Sequence, residues 1–238
     1  MDKKKKIKKS GVLNLNSQII KQQSEHYDSY LKIRENPRYK KVRHFILNHF
    51  DKKAKVLDIG CADGDFSEKL IKLGFKCYGL ETEKEAIKES TSKGIIVKKG
   101  SFLEKFPFED NYFDIVFAGE VIEHTVNDTG FLNETNRVLK KNGMLILTTP
   151  NLVSLGNRLL MLFGKLPRFA YSEFHYRVYN EKNIIEKIKN AGFKINKVES
   201  SYILISTFFN RTLGLFGERL GTFFPKLGEH LIIYAKKR

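Results

Sequence analysis

The run Val56-Leu57-Asp58-Ile59-Gly60-Cys61-Ala62-Asp63-Gly64-Asp65-Phe66 restricts the chain to few architectures. Val56, Leu57 and Ile59 read as a short buried strand, and Gly60 and Gly64 allow a tight turn with positive φ or close backbone approach. Apolar residues resume with helical spacing at Phe66, Leu70, Ile71 and Leu73. Strand, glycine turn and helix in this order place a ligand between the C-terminal end of the strand and the N-terminal end of the helix.

The turn departs from the dinucleotide pattern Gly-x-Gly-x-x-Gly. Its spacing is Gly60-x-Ala62-x-Gly64, and Asp65 stands where the third glycine is expected. Asp58, Asp63 and Asp65 give the loop a negative charge that repels a pyrophosphate and suits an ammonium or sulfonium group. Helix capping is the simpler reading for Asp63 or Asp65, but it leaves the glycines unexplained. Tyr78-Gly79-Leu80-Glu81 reads as a second short strand ending in an acid. An acid about 20 residues beyond the first strand is placed to bind two ribose hydroxyls.

These two runs resemble motif I and the acidic motif II of class I S-adenosylmethionine-dependent methyltransferases. Asp110-Asn111-Tyr112-Phe113-Asp114-Ile115-Val116 with Glu120-Val121-Ile122-Glu123-His124 is similar to the family's next block, as is Val138-Leu139-Lys140-Lys141-Asn142-Gly143-Met144-Leu145. Four blocks in order are far more specific than one glycine loop. The resemblance covers about residues 50 to 195 and is strongest to ubiquinone-biosynthesis O-methyltransferases and related small-molecule enzymes. It implies S-adenosylmethionine as cofactor. The expected cofactor-binding set is Asp58, Gly60, Cys61, Ala62, Asp63, Gly64, Glu81, Thr82, Ser101, Phe102 and Glu120. Within it Asp58 and the Gly60 backbone hold the methionine part and Glu81 the ribose. Ser101 or Phe102 stands where the family often has an adenine-binding Asp, so Phe102 covers the ring instead. Glu120 follows the fourth strand at the cofactor mouth.

The alternation of strand candidates (54–59, 76–81, 95–98, 113–118, 143–149) with helix candidates (65–73, 83–92, 128–140) implies a parallel sheet covered on both faces. A helix at 180–191 and strands near 193–202 and 230–235 complete the pattern. With the resemblance, the expected fold is α/β: a Rossmann-like, doubly wound, seven-stranded sheet, mostly parallel with an antiparallel last strand. The domain plan is a basic flexible arm (1–16), N-terminal helices covering the cleft (17–50) and a methyltransferase domain (51–238). Ser24 and Pro37 mark the starts of the two N-terminal helices. The domain carries apolar insertions at about 152–170 and 204–228, rich in Leu and Phe with scattered Arg and Lys.

Composition narrows the partners. Lys and Arg number 43 against 27 Asp and Glu, a net charge of +16. An anionic partner is therefore permitted, although most of these lysines read as solubilising surface. Cys61 and Cys77 lack metal-ligand spacing and read as buried hydrophobes of a reduced, cytoplasmic chain. No apolar stretch has the length of a membrane span, and Val12 to Asn16 is too short and polar for a signal sequence.

Methyl transfer from a sulfonium needs alignment more than covalent help, so a catalytic signature is not required. The catalytic candidates are His175, in a His-x-Arg-x-aromatic string similar to one lining the substrate side in relatives, and His124. His26, Tyr27 and Tyr171 are weaker candidates for the same cleft. Glu120, Glu123 and His124 are spaced to share one face of a helical turn. This element is similar to a metal-binding one in ubiquinone-pathway enzymes, but the expectation is a site without metal, with Glu120 on the cofactor and His124 in a local hydrogen bond. The expected activity is O-methylation of a small or lipid-linked acceptor, with peripheral contact to an anionic membrane at its inner surface and a homodimer as further expectations. An RNA or protein methyltransferase is the first alternative, disfavoured because no Asn-Pro-Pro-Tyr-like signature follows the fourth strand. A cofactor-binding scaffold without turnover is the second.

Overall fold

The computed structural model describes residues 36–168, 174–203, 217 and 219–238. The chain divides after Asn36, and the sheet belongs to the unit Pro37–Arg238. The basic arm, the helix expected after Ser24 with His26 and Tyr27, Tyr171, and most of the 204–228 insertion lie outside the described residues.

The elements run α1 (Pro37–His49), β1 (Lys55–Ile59), α2 (Asp65–Ile71), β2 (Lys76–Glu81), α3 (Lys84–Ser92), β3 (Ile96–Lys99), β4 (Phe113–Gly119), α4 (Asp128–Val138), β5 (Leu139–Pro150), α5 (Leu155–Leu162), α6 (Glu181–Asn190), β6 (Phe193–Ser200) and β7 (His230–Lys237). Two single 3-10 turns, Ile122–His124 and Pro225–Leu227, follow β4 and precede β7. The seven strands lie in the order β3-β2-β1-β4-β5-β7-β6. Only β7 runs against the others, pairing antiparallel with both β5 and β6. This is the expected seven-stranded sheet with its antiparallel last strand.

Each element expected within the described residues is present, most within a residue or two of its expected ends. The exception is β5, expected from 143, which begins at Leu139. Phe113 pairs with Leu139, and the register then shifts to Ile115 with Met144. Asn142, with φ 65°, takes up the extra residues, so the run Lys140-Lys141-Asn142 that reads as a turn continues the strand.

Both faces of the sheet are covered. Leu57, Ile59, Leu145 and Leu147 pack with Phe131 of α4 and Ile184 and Ile188 of α6 on one face. Val56, Ile115, Phe117, Met144 and Ile146 pack with Val42, Phe45 and Ile46 of α1 and Phe66 and Leu70 of α2 on the other. Strand order reverses between β1 and β4, and their C-terminal ends open the crevice in which such sheets bind ligands.

Candidate cofactor and acceptor site

The loop after β1 is built for close approach. Gly60, Ala62 and Gly64 all have positive φ (67°, 52° and 83°). A Cβ on Gly60 would lie 3.2 Å from Val121 Cγ2. One on Gly64 would collide with Ile95 and lie 2.9 Å from Ser90 Cβ. The loop is thus wedged between the residues after β4 and the α3–β3 corner, with its backbone facing the crevice.

Asp58 and Glu81 are the acids that meet this loop. Asp58 is buried and accepts the Ser67 hydroxyl at 2.8 Å. Burial pushes its pKa up to about 7, against the lowering effect of the Ser67 hydrogen bond and with help from the charges of Glu81 and Asp63. Glu81 accepts the Ala62 amide at 3.0 Å on Oε2 and the Thr82 and Glu83 amides at 2.7 and 3.1 Å on Oε1. The Thr82 hydroxyl also donates to Oε1, at 3.3 Å.

Asp63 and Asp65 share a counter-charge that the loop's composition does not show. Lys93 at the end of α3 lies 3.6 Å from Asp63, 2.7 Å from Asp65 and 3.3 Å from Glu89. Nor does either side chain cap α2, whose N-cap is Gly64 without a side-chain bond. Asp63 instead accepts the Asp65 amide at 3.2 Å, closing the turn. Lys93 was missed because a lysine before a glycine at a helix end reads as a surface charge.

Cys61 is buried, its Sγ packed where Gly79 leaves room, and burial pushes its thiol pKa up. Ser101 and Phe102 come to the same crevice: the Gly100 amide donates to the Glu81 carbonyl at 3.0 Å, Ser101 Oγ accepts the Leu103 amide at 3.1 Å, and Phe102 packs on the first core.

Glu120, Glu123 and His124 do not share a face. Glu120 sits outside the turn with φ 58°, and the 3-10 turn begins only at Ile122. Consecutive threonines of β5 then hold the two acids apart. Thr148 Oγ1 donates to Glu120 at 3.0 Å and Thr149 Oγ1 to Glu123 at 3.1 Å. Neighbouring residues of a strand point to opposite faces. Glu120 therefore turns to the α1 face, where Arg38 meets it at 3.0 Å and His230 at 3.6 Å. Glu123 turns to the α6 face.

On that second face the two catalytic candidates come together. The His124 and His175 rings lie 4.9 Å apart, edge to face. His124 Nδ1 is 2.9 Å from the Phe174 carbonyl, an acceptor only, so Nδ1 carries a proton. Glu123 is 1% exposed, and its Oε1 has no hydrogen-bond partner among the described residues. Burial, and next the charge of Glu120, hold its pKa well above the usual carboxylate range. A cavity of about 10 Å³, the room of one water, lies between Glu123, Thr149, His175, Arg177 and Tyr179. Ligand atoms of Glu123, His124 and His175 lie within 4.8 Å of one another, a set that fits a divalent ion by its chemistry.

Comparison with known proteins agrees with this geometry. A family model described as a methyltransferase domain matches residues 28–198. The chain belongs to the class I S-adenosylmethionine-dependent methyltransferases. The methyltransferase is 30% identical over 145 residues to a malonyl-[acyl-carrier protein] O-methyltransferase of Legionella pneumophila, a match covering 58% of this chain and 51% of that protein. It is 32% identical over 120 residues to the human mitochondrial ubiquinone biosynthesis O-methyltransferase, covering 47% and 32%. The matched region thus spans about half or less of these relatives' lengths. Among solved structures, a methyltransferase of Thermotoga maritima aligns with TM-score 0.66 at 19% identity over 93% of this chain and 99% of that one. Another from Archaeoglobus fulgidus gives 0.64 at 20% over 84% and 92%. At such identities these two establish the fold.

The methyltransferase uses S-adenosylmethionine, and the crevice fits it: bare glycine backbone, a buried carboxylate at Asp58 suited to a cation, and Glu81 fixed at the end of β2. No helix among the described residues is long and apolar enough to cross a membrane.

Proposed function

We propose that this methyltransferase methylates an oxygen of a small or lipid-linked acceptor, with the acceptor bound beside His124 and His175. The observation that carries the reading is the grouping of these two imidazoles with Glu123 past the C-terminal ends of β4 and β5, where Glu123 and His175 line a small cavity. The cofactor set is the one expected from the sequence. Asp58 and the Gly60 backbone take the methionine part, with the rest of the loop from Cys61 to Gly64 lying against it. Glu81 and Thr82 take the ribose, Ser101 and Phe102 flank the adenine, and Glu120 stands at the mouth.

Bound S-adenosylmethionine supplies an activated methyl group. The residues of the chain align the acceptor, exclude water and receive a proton. The bound cofactor would supply the methyl carbon to the acceptor oxygen and would keep the electron pair of the broken sulfur–carbon bond. The hydroxyl proton passes to His175, with His124 held beside it by the Phe174 carbonyl. A second reading is favoured by the unpartnered Glu123 Oε1: a divalent ion held by Glu123, His124 and His175, which would acidify the hydroxyl. Chelator-insensitive turnover, unchanged in the Glu123→Gln variant, rejects it.

The exposed apolar residues support a lipid-linked acceptor met at a membrane surface. Leu162 and Phe163 at the end of α5 are 76% and 75% exposed, and Phe223 is 77% exposed, with Arg158 and Lys165 nearby in sequence. Such a surface suits an anionic bilayer approached from the cytoplasm. Labelled S-adenosylmethionine supplied with lipid and aqueous extracts tests the proposal. The expected label is in a small or lipid-linked product, resistant to nuclease and protease and reduced at least tenfold in His175→Ala. Label in RNA or protein overturns it, as does tight cofactor binding with no labelled product.

A further inference from the structure

Arg38 occupies the buried face of α1 with Val42, Phe45 and Ile46, and although charged it is 4% exposed on the first turn. Its Nη1 lies 3.0 Å from Glu120 Oε2. His230 Nε2 is 3.6 Å from the same oxygen, and Thr148 donates to the other. His230 Nδ1 is in turn 3.4 Å from Ser201 Oγ. The carboxylate is therefore fixed by Arg38 of α1 and Thr148 of β5, with the His230 ring of β7 beside it.

A buried ion pair contributes little net stability, because desolvation opposes attraction. Glu120 is also held in the left-handed region, which residues other than glycine adopt only under constraint. The next residue, Val121, bears on Gly60. Taken together, a costly arrangement places one carboxylate where the glycine loop meets the end of β4. Burial raises the pKa of Glu120, and Arg38 and then Thr148 oppose that rise. Burial, then the charges of Arg38 and His175, keep His230 well below its usual pKa, so it stands as a neutral partner.

We propose that Arg38 and His230 are positioning residues that hold the Glu120 carboxylate against the sulfonium end of the bound cofactor, so that the site distinguishes the charged donor from its neutral demethylated product. The inference rests on the placement of Glu120 at the cofactor and goes beyond it by giving that acid a task and two supports. Transfer moves the methyl to the acceptor and leaves the electron pair on sulfur, which becomes an uncharged thioether. A fixed anion beside it then loses its attraction, and the grip on the product relaxes relative to the donor.

Calorimetry with S-adenosylmethionine and S-adenosylhomocysteine tests this without a methyl acceptor. The quantity read is the ratio of the two dissociation constants, product over donor. Arg38→Gln and Glu120→Gln are each expected to lower the ratio about 3- to 10-fold. The double variant should fall no further than Glu120→Gln alone, and Arg38→Lys should retain most of the ratio. A purely structural role would weaken both ligands alike and leave the ratio unmoved. An unchanged ratio in Arg38→Gln, or effects of the two substitutions that add, overturns the proposal. Should Arg38→Gln not fold, Arg38→Lys and His230→Asn carry the same test, with a smaller fall expected and an unchanged ratio in both overturning it. A wild-type protein that binds neither ligand instead removes the cofactor placement underneath.

Discussion

Glu81 Oε2 accepts the backbone amide of Ala62 at 3.0 Å, tying the end of β2 to the glycine loop after β1. With the Thr82 and Glu83 amides on Oε1, the carboxylate is oriented before any ligand arrives. A carboxamide in its place has one acceptor oxygen and brings a donor toward the Ala62 amide or the Thr82 amide. Glu81→Gln is therefore expected to weaken S-adenosylmethionine binding by about 1.5–3 kcal/mol, read by calorimetry, with little change in melting temperature.

Asp58 gives the site a pH dependence. Its folded-state pKa of about 7 lies above the ordinary 3.8, so the ligand-free fold binds the proton more tightly than the unfolded chain. This contribution to stability is full below the ordinary pKa and is lost as pH rises through about 7. A cationic ligand reverses the preference, because it favours the ionised acid. Affinity for S-adenosylmethionine is expected to fall roughly tenfold per unit once pH drops below the folded pKa. Titrations at several pH values should show this slope in the wild type and a flat response in Asp58→Asn.

Much of this was legible in advance. The order of strands and helices follows from apolar periodicity and glycine position. The places of Asp58 and Glu81 beside the glycine loop follow from acids at strand ends, since both depend on local sequence. What was not legible depends on elements far apart in the chain. Arg38 and His230 reach Glu120 from opposite ends of the sequence, and neither lies in a motif. The helical spacing of Glu120, Glu123 and His124 misled because the turn starts two residues late. Lys93 looked like one more surface lysine in a chain of net charge +16.

Two glycines with positive φ should respond differently to alanine. At Gly64 (φ 83°) a methyl group meets Ile95 and Ser90, so strain and overpacking combine. Gly64→Ala is expected to destabilise by about 2–4 kcal/mol. Gly164 (φ 68°) has nothing within 4 Å of an added Cβ, leaving backbone strain alone. Gly164→Ala should cost about 1–2 kcal/mol. Thermal melts of the two variants check the difference.

Lys93 ties Asp63 and Asp65 to the end of α3. Lys93→Met leaves the buried Asp63 without its counter-charge, so the loop should loosen. The expected outcome is a loss of about 1–2 kcal/mol in stability and faster hydrogen exchange at residues 61–65, both reduced when Asp63→Asn is added. Exchange unchanged from the wild type would refute the tie.

The paired threonines at the end of β5 have a consequence for how such a protein diversifies. Thr148 and Thr149 turn to opposite faces of the sheet, each bound to one acid. The two sides stay in electrostatic reach of each other, since the charge of Glu120 is felt at Glu123 and that of His175 at His230. A new acceptor taken up on one side has therefore to be accommodated together with the donor on the other.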